Sequence, residues 1–149
     1  EGREHNHLVS ASLMRSDKRL REWFTEEEME VMAQAVEDHR ASNDYAPRSI
    51  YGRIVAEADR LIEPMQILRR TVQYGLSHYP ELTQEQHYLR YCEHLQEKYA
   101  EGGYLKLWIP ESGNAEHLAE LRAIISDKTF KQTIFEQLYL EEKTCENKC

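Results

Sequence analysis

Two side chains that could ligate a metal ion stand on neighbouring predicted helices. His39 is in line with Met29, Met32 and Val36, which recur at helical spacing, so we expect its imidazole to point inward. Asp59 lies at the edge of the apolar face of the following helix. An ionised carboxylate that faces a core is costly unless it meets a cation, a network of donors or a proton. Because neutral imidazole and carboxylate are natural ligands of first-row metals, the pair predicts a metal-ion site.

The same two residues have an ordinary alternative. Asp59 could pair with Arg48, Arg53 or Arg60, and His39 could be a core histidine whose ring nitrogens are satisfied by the protein. An Asp59 carboxylate in bulk water, or one turned away from the His39 imidazole, would end the metal interpretation of Asp59.

The helices that must position these residues carry clear start signals. Thr25 and Glu28 form a capping-box pattern, so we predict a helix from Thr25 to about Arg40. Turn-forming residues and Pro47 separate it from a second helix, which we predict over residues 49–62. A wide apolar strip on this second helix predicts burial on two sides. The strip comprises Ile50, Ile54, Ala58 and Leu61, with Tyr51, Val55 and Ile62 beside them.

Helical patterns continue along the rest of the chain. Pro64 fits the first turn of a third helix, and Gly75 interrupts the apolar pattern of that helix. Thr83 and Gln86 form another capping box. Asn114 is expected to cap a later helix. These signals predict an all-α protein.

The domain prediction follows from this pattern. Residues 104–109 alternate between apolar and polar types, but a lone strand would have no partner, so we predict a packed loop there. We predict a single-domain helical bundle of about six to seven helices over residues 1–141, followed by a frayed tail over residues 142–149.

Composition excludes several classes of protein. The formal charge is −8, from 27 acidic and 19 basic residues, and a net negative field repels phosphate backbones, so we expect no nucleic-acid polymer as a partner. No apolar run approaches the roughly 20 residues that span a bilayer, so we expect no membrane segment. The 3 cysteines are too few and too badly placed for a disulfide framework, which predicts a reduced, cytoplasmic protein.

Three runs of residues resemble a known family. They are Val36-Glu-Asp-His39, Ala46-Pro-Arg-Ser-Ile50 and Ile54-Val-Ala-Glu-Ala-Asp59-Arg-Leu61. Together they look like the second half of an HD-domain metal-dependent phosphohydrolase. In that all-helical superfamily one helix ends in a histidine, a loop that often contains proline follows, and the next helix carries an Ala-Asp pair whose aspartate ligates the metal. The resemblance covers roughly residues 4–62 and implies an HD-domain-like fold.

The resemblance implies specific metal ligands. Asp59 matches the last metal ligand of the family, and His39 matches a pocket histidine that ligates a second metal or contacts substrate phosphate. One of His5 and His7 matches a further histidine of dinuclear members, and because they are two residues apart at most one of them faces the site. We take His7 as that ligand; the alternative is that both histidines lie in a solvated, frayed N-terminus.

The chain also departs from the family pattern. The family is named for an adjacent His-Asp pair, and no such dipeptide occurs in this sequence, where Asp38-His39 has the reverse order. The chain opens without Met, so we expect it to be the inside of a longer protein whose remaining ligands precede Glu1. The alternative is a degenerate family member without a complete metal centre.

The implied function is hydrolysis of a nucleotide or another phosphate ester with a divalent ion, either Mn²⁺, Fe²⁺, Mg²⁺ or Ni²⁺. Arg40, Arg48 and Arg60 could offer guanidinium forks to the phosphate, and each could instead pair with a nearby glutamate. The expected partner is a small phosphorylated substrate, with a homo-oligomer left open. The alternative function is a non-catalytic helical module that binds a ligand or a protein.

Overall fold

The structure is a computed structural model that describes residues 5–146, and every regular element within that range is helical. The predicted all-α class and the predicted number of helices are therefore confirmed for the described residues. A short 3-10 turn at Leu20–Glu22 separates the first two helices. The α-helices are α1 (Asn6–Ser16), α2 (Glu26–Asp38), α3 (Ile50–Asp59), α4 (Pro64–His78), α5 (Gln84–Lys98), α6 (Asn114–Ser126) and α7 (Lys128–Glu146).

The predicted start signals lie where the sequence placed them. Thr25 caps α2 and Thr83 caps α5, each with both hydrogen bonds of the capping box, to Glu28 and Gln86 respectively. Pro64 occupies the first turn of α4, where its missing N–H costs no hydrogen bond. Residues 104–109 form no strand, in agreement with the predicted loop.

The described residues divide into two units by their contacts. The first unit contains the chain up to Leu61 together with Lys106–Asn114, and the second contains Ile62–Leu105 and the residues from Ala115 onward. In the first unit α2 packs against both α1 and α3. The buried hydrophobic residues of the first unit are mostly alanines, which lets the helices approach closely. They are Ala11, Met29, Ala33, Ala35 and Ala56.

The second unit has a conventional core of aliphatic and aromatic side chains. Helices α4, α5 and α7 pack on one another, and Tyr91 and Phe135 are fully buried with ring centroids 5.2 Å apart. Gly75 of α4 allows a close approach here, because a Cβ at this position would lie 2.6 Å from Nη2 of Arg90 and 2.9 Å from Nδ1 of His87. The interruption of the helical pattern at Gly75 therefore has a packing reason.

The prediction that the apolar strip of the second helix is buried holds for Ile62, which is 1% exposed, and is wrong for the strip itself. Ile50 is 55% exposed, Ile54 is 52% exposed and Leu61 is 71% exposed. Helix α3 instead packs through its small residues, Gly52 and Ala56, which are buried. Short side chains permit a closer helix contact than isoleucine would, so the apolar strip is left on the surface.

The end of the chain also differs from the predicted frayed tail. Helix α7 continues to Glu146, and Arg69 of α4 forms ion pairs with Glu141 and Glu142, which hold this part of α7. Residues 147–149 lie outside the described residues. Within the described range no helix is both long enough and apolar enough to cross a membrane.

Candidate functional site

His7 in the first turn of α1 and His39, which directly follows α2, lie close enough for their charges to interact. His7 is half-buried whereas His5 is exposed, so His7 is the one that is turned inward. Burial lowers the pKa of His7, the neighbouring charges of Arg40 and His39 lower it further, and Glu37 opposes them. The Nδ1 atom of His7 is buried and has no hydrogen-bond partner among residues 5–146. His7 is therefore favoured as a neutral imidazole with an unused ring nitrogen.

The hydrogen bond of His39 fixes its tautomer. Its Nδ1 lies 2.5 Å from the backbone oxygen of Val36, and because a carbonyl can only accept, Nδ1–H must be the donor. In the neutral ring Nε2 is then the acceptor, as in metal-ligating histidines whose other nitrogen donates to a carbonyl. His78 and His117 make the same kind of bond, so the bond alone does not mark a ligand. What distinguishes His39 is the presence of His7 beside it.

A network of ion pairs holds the end of α2. Arg48 donates to both carboxylate oxygens of Asp38 through Nε, and its Nη2 contacts Asp38 and Glu37. Arg15 of α1 bridges Glu37 and Glu30. The side chain of Asp38 is fully buried, so this network fixes the residue next to His39.

The three predicted phosphate-binding arginines have three different surroundings. The guanidinium of Arg48 is occupied by Asp38 and Glu37, and that of Arg60 is buried against backbone carbonyls, so neither position favours contact with a phosphate. Arg40 is half-buried and near enough to His7 to lower its pKa. Of the three, Arg40 is the one whose charge acts on His7.

Asp59 is exposed at the end of α3. It forms neither a hydrogen bond nor an ion pair with His39, and this position counts against the metal interpretation of Asp59. Within residues 5–146, no three His, Cys, Asp or Glu side chains form a group that could hold a metal ion. His7 and His39 thus have the chemistry of ligands, but the described residues do not complete a site. The predicted ligand set stays a prediction.

Glu57 is a buried carboxylate that the sequence analysis did not single out. Its oxygens accept from the backbone N–H groups of Trp108 and Ile109, from Ser112 Oγ and from Asn114 Nδ2. Burial raises the pKa of Glu57, but the hydrogen bonds from these four residues outweigh burial and hold the pKa below its ordinary value. Glu57 therefore tethers the segment Lys106–Asn114 to α3. No local signal identifies it, because its partners are more than 50 residues away along the chain.

An apolar groove of about 530 Å³ runs along α2 in the same unit. Met14 of α1 lies on one side, Tyr51 and Val55 of α3 lie on the other, and Val31 and Val36 are among the α2 residues that line it. The charged residues in its lining are Glu27 and Glu28, at the start of α2. The groove adjoins the exposed apolar strip of α3.

Comparison of the chain with protein-family models, with curated proteins and with solved structures found no match.

Proposed function

We propose that this chain contributes part of the centre of an HD-type metal-dependent phosphohydrolase that acts on a nucleotide or another phosphate ester. The single observation that supports the proposal most is that His7 of α1 lies close enough to His39, at the end of α2, for the charge of His39 to lower its pKa. Burial favours the neutral form of His7, whose Nδ1 has no hydrogen-bond partner among the described residues, and the hydrogen bond of His39 to Val36 leaves Nε2 as the acceptor of a neutral ring. We assign the phosphate contact to Arg40, whose charge acts on His7.

The proposal assigns the rest of the ligand set to residues outside those described here. A divalent ion such as Mn²⁺, Fe²⁺, Mg²⁺ or Ni²⁺ lowers the pKa of a bound water and polarises a phosphoryl oxygen. In this chain His7 and His39 offer nitrogen ligands. Asp59 retains its proposed role only if its carboxylate, now exposed, turns toward them.

The test compares metal content and phosphate release for the full-length protein and its variants. We expect His39→Ala to lower metal loading and to reduce phosphate release from a panel of nucleotides and phosphomonoesters by about tenfold to a hundredfold. Asp59→Ala has the same effect only if the Asp59 carboxylate turns toward the histidines. His94→Ala is the matched control, because His94 is also half-buried but lies on α5. Mass spectrometry of the bound metal and a colorimetric phosphate assay provide the readouts. Equal metal loading of the wild type and Asp59→Ala would remove Asp59 from the ligand set, and equal loading of His39→Ala would end the proposal.

A second candidate function is a protein-interaction module, and the exposed apolar surface of the first unit favours it. Contiguous exposed apolar surface of this kind often marks a binding site for another protein. The groove has the form that an amphipathic helix fills, with an apolar floor along α2. Because its charged lining residues are Glu27 and Glu28, the occupant that fits is an amphipathic helix with lysine or arginine beside its apolar face.

Synthetic peptides test this second candidate. Trp23 is 80% exposed and adjoins Phe24 of the groove, so its fluorescence reports binding in a Trp108→Phe background. We expect a helical peptide of leucine and lysine to bind, and Val55→Arg to weaken it by about tenfold, or about 1.4 kcal/mol. Leu89→Arg is the control at an exposed leucine of α5. Equal binding of a leucine–glutamate peptide would show that the acidic end does not select the partner, and self-association that Val55→Arg abolishes would indicate a second copy as the occupant.

A further inference from the structure

Arg60 is a buried cation without a carboxylate partner. The residue is 6% exposed, and its Nε atom is buried with no hydrogen-bond partner among the described residues. None of the ion pairs found within residues 5–146 includes it. Burial lowers its pKa, opposed by the charges of Glu57 and Asp59. An arginine in such a position costs free energy unless its N–H groups find other acceptors.

The acceptors of Arg60 are backbone carbonyls at the ends of two helices. Its Nη1 donates to the oxygen of Ala56 in the last turn of α3 and, at 3.3 Å, to the oxygen of His39 at the end of α2. The last carbonyls of a helix have no partner within the helix and carry the negative end of its dipole. One guanidinium therefore joins the C-terminal ends of α2 and α3.

Arg60 bonds to the backbone of His39, whose side chain belongs to the candidate site. The bond from His39 Nδ1–H to Val36 exists only while His39 stays in register with the last turn of α2. Helix ends fray unless their carbonyls are satisfied. Freed from Arg60, the His39 backbone can leave that turn, and the imidazole then loses its fixed tautomer.

We propose that Arg60 is a positioning residue, which fixes the backbone of His39 and thereby keeps Nε2 as the acceptor nitrogen of its imidazole. This role bears on catalysis only through the proposed function, on which that part of the inference rests. The role itself concerns only residues of the first unit and can be measured without a metal. It also replaces the phosphate-binding role that the sequence suggested for Arg60.

Nitrogen-15 NMR of the histidine rings, at a pH above their titration range, tests this role. The shifts of Nδ1 and Nε2 report which nitrogen carries the proton, and His39→Gln assigns the signal. In the wild type we expect His39 in the Nδ1–H form. In Arg60→Met we expect that signal to be lost in favour of the Nε2–H form, which free histidine prefers. Arg60→Lys keeps a charged donor and should restore the Nδ1–H signal in part.

Arg122→Met provides the matched control. Arg122 also donates to the terminal carbonyl of a helix, that of Tyr99 on α5, but it lies in the second unit. We expect Arg122→Met to leave the His39 signal unchanged. A folded Arg60→Met that retains the wild-type tautomer would overturn the proposal, and if Arg60→Met does not fold, an unchanged tautomer in Arg60→Gln would do so. The two proposals can fail separately. If Arg60→Met loses the Nδ1–H signal of His39 but the wild type binds no metal, the positioning role of Arg60 stands and only the proposed function is refuted.

Discussion

Replacing Glu57 with alanine is expected to lower the free energy of unfolding by at least about 3 kcal/mol, since hydrogen bonds to charged groups contribute about 1.5–3 kcal/mol each. The variant removes the acceptor of the N–H groups of Trp108 and Ile109 and of the Ser112 hydroxyl, whereas the Asn114 amide keeps its bond to the backbone oxygen of residue 57. Partial hydration of the opened segment keeps the loss below the sum of the individual bonds. Urea denaturation followed by circular dichroism at neutral pH measures the effect.

Two comparisons isolate the contribution of the Glu57 carboxylate. Glu57→Gln keeps one acceptor oxygen but directs an NH₂ group at other donors. We therefore expect its free energy of unfolding to lie between those of the wild type and of Glu57→Ala. Glu111 is an exposed residue on the same segment, and Glu111→Ala should change stability by no more than about 0.5 kcal/mol. A loss below about 1 kcal/mol in Glu57→Ala would contradict a tethering role, because even one buried unsatisfied donor costs that much.

The lowered pKa of Glu57 gives this tether a pH dependence. The pKa of the carboxyl in the folded protein lies below the ordinary value of 4.5, so the folded state binds fewer protons than the unfolded state in that range. The stabilisation is fully present above pH 4.5 and is lost as the pH falls toward the folded-state pKa. The wild type should therefore lose more stability on acidification than Glu57→Gln, which has no proton to bind at this position.

Most of the fold could be predicted because its signals are local. Capping boxes at Thr25 and Thr83, and Pro64 at the start of α4, act within a few residues of the helix starts that they define. The face that α3 buries was not predictable in this way. Apolar periodicity identifies a strip on a helix, but whether that strip or the small residues Gly52 and Ala56 meet α2 depends on how closely the two helices pack.

The candidate site was predicted in part. The inward position of His39 follows from helical spacing, and His7 was taken from the family resemblance, whereas their proximity requires α1 to pack against α2, which no local signal specifies. The sequence also could not distinguish the roles of Arg48 and Arg60. The guanidinium of an arginine can pair with a carboxylate, as in Arg48, or donate to helix carbonyls, as in Arg60. Tertiary contacts decide which of the two it does.

The Arg48→Met variant is expected to lose about 2–3 kcal/mol of stability, a value between those of exposed and fully buried ion pairs. The asymmetry of the pair is the reason. The side chain of Arg48 is 43% exposed and is readily hydrated, whereas the Asp38 carboxylate has no exposure at all. Among residues 5–146, the backbone N–H of residue 48 would be the one donor left to it. Urea denaturation at neutral pH provides the measurement.

The control is an arginine of equal exposure with better-hydrated partners. The side chain of Arg69 is 40% exposed, and those of its partners Glu141 and Glu142 are 40% and 16% exposed. Arg69→Met should therefore lower the free energy of unfolding by no more than about 1 kcal/mol. Adding Asp38→Asn to Arg48→Met removes the stranded charge and should recover part of the loss. If the double variant is no more stable than Arg48→Met alone, the cost arises from lost packing of the arginine stem and not from an unpaired carboxylate.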